Sequence, residues 1–177
     1  MTSKPYLPVW KTIPIGINQD LEEKIKGLDP STTHLTFIEP FSQKKYSIDP
    51  DAFDIIQKTA FSISEVSKTV QLVITSLRSL GLPDGTCYHD IFAAAQNAGL
   101  NLCPAEVGLQ LRLHYMDQPF EETLVIGMQP LEDNDGLPCV FTVHHWDWGM
   151  ALGACCCGIS DVVDEWHADS NWVFMIQ

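Results

Sequence analysis

Between Gly99 and Pro119 the chain changes character, and no other feature limits its fold as much. Residues before this stretch read as helical or mixed; residues after it read as short strands separated by turns. The stretch runs Gly-Leu-Asn-Leu-Cys-Pro-Ala-Glu-Val-Gly-Leu-Gln-Leu-Arg-Leu-His-Tyr-Met-Asp-Gln-Pro. Glu106, Arg112 and Asp117 stand in it among apolar side chains, where a charge requires a partner. Pro104 to Val107 suits one helical turn. Beyond it Leu109, Leu111, Leu113 and Tyr115 alternate with Gln110, Arg112 and His114, and a period of two predicts a strand with one buried face. The segment is expected to join a helical front to a sheeted back, its charges neutralising one another.

The front is read from its caps and breakers. Residues 1–18 form a proline-containing extended arm able to supply a strand. Asp20 is a suitable N-cap for a short helix over Leu21 to Gly27, and His34 to Ile38 suit a strand followed by a loop at Lys44-Lys45. Asp49-Pro50-Asp51 reads as N-cap, first helical residue and acidic first turn, with Phe53, Ile56 and Ala60 on one face. Residues 62–80 carry two signals. Val66, Val70, Val73, Ile74, Leu77 and Leu80 keep helical spacing, yet Thr69 to Thr75 is dense in β-branched residues and predicts a strand. Thr86 opens a helix through Ala98, with Ile91, Phe92, Ala95 and Ala98 inward and Gly99 as its stop.

Downstream, strands are predicted at Leu124 to Met128, Cys139 to His145, Met150 to Cys155 and Trp172 to Ile176. Turns are expected at Glu132 to Gly136, Asp147 to Gly149 and around 158–170. Strands following helices imply an α+β fold: a helical or mixed N-terminal part on a C-terminal antiparallel sheet of four or five strands. The 177 residues fit a single domain.

Composition narrows the function classes. Ten Lys and Arg against 23 Asp and Glu give a net charge of -13, which repels nucleic acid and anionic membranes alike. No stretch is long and apolar enough for a membrane helix, and the N-terminus lacks the apolar core of a signal peptide. A cytoplasmic location follows as the expectation, and with it reduced cysteines. Cys155, Cys156 and Cys157 are consecutive, so on a strand they point to alternating faces and do not converge on one metal.

Three constellations carry possible chemistry. Glu106, Arg112, Tyr115 and Asp117 suit either a ligand-orienting set or a buried network that fixes the fold. His144 and His145, with Asp147 and a further ligand from His89, His114, His167 or a cysteine, offer a zinc set, though neighbours on a strand diverge. Cys103, Cys155, Cys156 and Cys157 suit either a nucleophile activated by a histidine or small buried hydrophobes, with Cys103 placed ahead of a proline-led helical turn that would lower its pKa. The acidic run at Asp133 and Asp135 lacks the first and twelfth ligands of a calcium loop and reads as a hairpin turn. Trp146 and Trp148 share a face if their strand persists, which suits a core; the wider series with Trp166 and Trp172 also suits a partner surface.

With Gly-Leu-x-Leu-Cys-Pro-Ala-Glu-Val-Gly at Gly99 to Gly108 and Leu-Arg-Leu-x-Tyr-x-Asp-Gln-Pro at Leu111 to Pro119, the chain resembles a bacterial protein family with no established activity. Looser agreement covers Trp10 to Ile13, Leu80-Gly81, Met128, Asp133 to Gly136 and Trp172 to Phe174. After Val143 the chain departs from that pattern, so His144, His145 and the cysteine run are its own. The resemblance implies a shared fold and no reaction. The functional expectation is a module that binds another protein through an acidic or aromatic surface. Its alternative is an enzyme or small-ligand binder using Glu106, Arg112, Tyr115 and Asp117; a metal protein on His144 and His145 comes third. No catalytic motif and no cofactor are indicated, nor any oligomeric state.

Overall fold

The computed structural model describes residues 7–16, 35–38, 45–156 and 166–176. The expected helix at Leu21 to Gly27, Lys44, Cys157 and most of the turn around 158–170 lie outside them. In chain order the strands are β1 (Lys11–Ile15), β2 (Leu35–Ile38), β3 (Lys45–Ile48), β4 (Lys68–Ser76), β5 (Leu100–Asn101), β6 (Thr123–Ile126), β7 (Leu131–Glu132), β8 (Pro138–Trp146), β9 (Gly149–Cys155) and β10 (Asn171–Ile176). The helices are α1 (Pro50–Ile56), α2 (Tyr88–Asn97) and α3 (Glu106–His114), with a 3-10 turn at Arg78–Leu80.

The class is mixed α+β, but the sheet is larger than expected and not purely antiparallel. Its path runs β1-β4-β10-β6-β8-β9-β3-β2, with β5 added to β10 and β7 to β8. Both β10 with β6 and β3 with β9 run parallel. The front contributes four of these strands, which local pattern could not allot to a sheet formed mainly by the back. The last strand enters the middle, with Val173 opposite Ile74 on β4 and beside Ile126 on β6. Trp172, Val173 and Phe174 are all buried there, the unbroken apolar run of a strand covered on both faces.

Local signals hold well for two helices. α1 has Pro50 at its start and buries Phe53 and Ile56, but it ends four residues before Ala60, which is exposed. α2 begins after Cys87, not Thr86, whose hydroxyl instead donates to the Pro83 carbonyl at 2.7 Å. Gly99, at φ 85°, stops it as expected. Residues 69–75 are strand, as their β-branched content predicts.

The expected strand at Leu109 to Tyr115 is instead α3. Every residue from Glu106 to Arg112 is buried, so until its exposed last residue, His114, the helix has no solvent face and no amphipathic stripe. Alternating leucines on such a helix mimic a strand. α3 packs against β1 and also against β8 and β9. In a flat sheet β1 and β8 would stand four strand spacings apart, about 19 Å. A nine-residue helix about 13 Å long reaches both only because the sheet curls around it. Gly108 permits the closest approach: a Cβ there would lie 2.7 Å from Cβ of Phe141 on β8.

The thiol expectation also changes. Cys139 and Cys156, facing each other beside the Val140–Cys155 pair of β8 and β9, form a disulfide. Among the described residues no helix is long and apolar enough to cross a membrane.

Candidate functional site

The four charged and phenolic residues of the Gly99–Pro119 stretch do not gather at one cleft. Glu106, at the first turn of α3, is fully buried and accepts from the amides of Gly16 at 2.8 Å and Ser64 at 2.9 Å, and from the Ser64 hydroxyl. Gly16 ends β1 in the left-handed region at φ 70°, where a Cβ would fall 2.3 Å from the Val66 carbonyl oxygen. Arg112, six residues on, donates to the carbonyls of Tyr115 and His144 and to Oε1 of Gln118. The expected mutual neutralisation is therefore replaced by two separate clamps, one at each end of the helix. One holds the β1–β4 end of the sheet, and the other holds β8. Asp117 lies outside, its side chain 83% exposed and 3.7 Å from Lys11.

Tyr115 links the second clamp to the surface. Its ring meets Trp10 edge-on and lies under the Lys11 ammonium at 4.9 Å. Burial pushes its phenol well above the ordinary range, and its hydrogen bond to Glu122 pushes the same way. Burial likewise raises the Cys103 thiol, so this cysteine is not activated. The two histidines diverge as strand geometry requires. His144 is buried with Nε2 3.3 Å from Asp49, whereas Nδ1 of His145 pairs with the Gln118 carbonyl at 2.8 Å.

Beyond Gln118 the chain turns outward and lines an open groove of about 550 Å³. Phe120, Glu121, Glu122 and Trp146 line it together with His167 and Asp169. Phe120 is 54% exposed and edge-on to His145. Glu121 is the one non-glycine residue at positive φ among the described residues, at 65°, and its backbone N–H donates to the His145 carbonyl at 2.8 Å. Such a backbone is sparsely populated and persists only where its surroundings enforce it. The Oε2 atom of Glu122 is buried without a hydrogen-bond partner among the described residues. Asp169 is committed to Arg78 through bonds of 2.7 and 3.0 Å, which hold its carboxyl below the usual range.

No family model matches the chain, no curated protein matches it, and no solved structure matches it. What the groove does must follow from its own residues.

The tryptophans divide in two. Trp166 and Trp172 are core, 4.7 Å apart edge to face. Trp146 and Trp148 are not, contrary to the core expectation. β8 ends at Trp146, so Trp148 falls in the turn, 64% exposed and stacked on Trp146 at 6.3 Å. Gln118, Glu121 and Glu122 were missed as site residues. Only the Asp-Gln-Pro motif before them gave any sign, because strain and an orphaned oxygen are tertiary properties.

Proposed function

We propose that this protein is a binding module whose groove takes a cationic segment of a partner protein. The orphaned Glu122 oxygen carries the reading. A buried carboxylate oxygen that lacks a donor is costly unless a ligand supplies one. Glu121 stands beside it, and Phe120 and the Trp146–Trp148 stack offer the aromatic faces on which Arg and Lys side chains settle. A net charge of -13 adds long-range attraction for a basic partner. The alternative on Glu106, Arg112 and Asp117 lacks comparable support, since two of these are turned inward to backbone and hydroxyl groups and the third to solvent.

The test is a titration of the full chain with a short Arg- and Lys-rich peptide, followed by tryptophan fluorescence. Binding should weaken about tenfold in Glu122→Gln, which loses one charged contact. It should also fade as salt rises. Affinity in Glu122→Gln equal to that of the unaltered chain, or no binding at low salt, overturns the reading.

A further inference from the structure

At the end of the β8–β9 ribbon opposite Trp146, where the turn from β7 enters β8, the sulfurs of Cys139 and Cys156 and a carboxylate oxygen of Asp133 all lie within 4.8 Å of one another. We infer that, once the disulfide is reduced, these three side chains form a binding site for zinc or a similar thiophilic divalent cation. The site is therefore open only in the reduced protein.

The strand register supplies the two sulfurs. Cys139 and Cys156 face each other across the β8–β9 ribbon with Cα atoms 4.0 Å apart. Thiolates on one tetrahedral zinc stand about 3.8 Å apart, given Zn–S bonds of about 2.3 Å. Rotation about χ1 at two facing strand positions reaches that separation without moving the backbone. The turn supplies the oxygen. Asp133 Oδ1 accepts from the amides of Asp135 at 2.9 Å and Leu137 at 2.8 Å, which fixes the carboxylate beside the two sulfurs. The turn is itself anchored, because Asp54 on α1 accepts from the Asn134 amide at 2.7 Å. Two thiolates and one carboxylate suit zinc and leave a fourth position for water.

The chemistry balances. Two small thiols reduce the Cys139–Cys156 bond and leave as their own disulfide, giving two protein thiols. Zinc then displaces both S–H protons to solvent, forming two Zn–S bonds. In the oxidised chain neither sulfur can become a thiolate, so it should take up no zinc here.

The full chain is reduced with a phosphine, desalted without air and titrated with zinc or cobalt. The expected result is about one equivalent bound, with cobalt giving the near-ultraviolet thiolate charge-transfer band. Asp133→Asn should lower affinity about tenfold or more while keeping that band, since a lost ligand costs at least what a lost outer partner does. Cys156→Ser should abolish binding, and Cys155→Ser should leave it intact. In the unaltered chain, bound zinc should protect Cys139 and Cys156 from alkylation, as mapped by mass spectrometry. This last measurement stands even if Cys156→Ser does not fold. Equal zinc uptake by the oxidised chain, no uptake by the reduced one, indifference to Asp133→Asn, or protection of other cysteines instead would each overturn the site.

Discussion

Glu106 and Arg112 share one helix, yet each is answered by groups from elsewhere in the chain. Burial without solvent makes those bonds matter, because an orphaned donor or acceptor loses water and gains nothing. Glu106→Ala strips the acceptor from two backbone amides, and Arg112→Ala strips the donor from two carbonyls. Each should cost about 3 kcal/mol in urea unfolding, and Arg112→Lys should not rescue, since one ammonium cannot span the same fork. A second residue-scale expectation concerns alkali. The Tyr115 phenol and Cys103 thiol have ordinary values of 10.0 and 9.0, both raised on folding. The folded chain then keeps protons that the unfolded chain releases, so stability is intact below about pH 9 and falls as pH climbs past 9 and 10. Denaturant midpoints measured across that range should decline, and less steeply in Cys103→Ala.

At the scale of elements, α3 decides how tightly the sheet curls. Its approach to β8 depends on Gly108, against the Phe141 ring and Cβ. Alanine is the better helix former by about 1 kcal/mol. Gly108→Ala should nonetheless destabilise by about 1–3 kcal/mol, because overpacking outweighs propensity. A thermal melt decides between the two effects, and a raised midpoint would mean that the helix stands off the strand. The same burial explains the misread segment. A helix enclosed all round owes its residues to several neighbours at once, so its sequence need not show a 3.6-residue stripe. α1 and α2, each with an exposed side, are legible from the proline start of one, the glycine stop of the other and their apolar spacing, although the cap expected at Thr86 falls one residue early.

Across the whole molecule, the sheet ties distant parts of the chain together, and the Cys139–Cys156 bond closes a loop of sequence separation 17 within it. A crosslink of that span restrains the unfolded chain by about 3 kcal/mol. Reduction in metal-free buffer should lower unfolding stability by roughly that amount. An unchanged urea midpoint would show that the crosslink contributes no restraint. The pairing is hidden from sequence because which of the consecutive cysteines meets Cys139 depends on the β8–β9 register. Cys156 finds its partner only once β8 and β9 are in register.

The sequence alone determined what depends on neighbours along the chain. The proline-led start of α1, the glycine stop of α2, the β-branched β4 and the hairpin at Asp133 to Gly136 all follow from local sterics and capping. It also set the charge balance that underlies the proposed cationic partner. Only the tertiary structure decided the order of the strands, the helical state of α3, the two separate clamps at Glu106 and Arg112, and the strained Glu121 beside the orphaned Glu122 oxygen. Each of these is a through-space choice among groups far apart in the chain, and its energy comes from burial and closure, which no local pattern records.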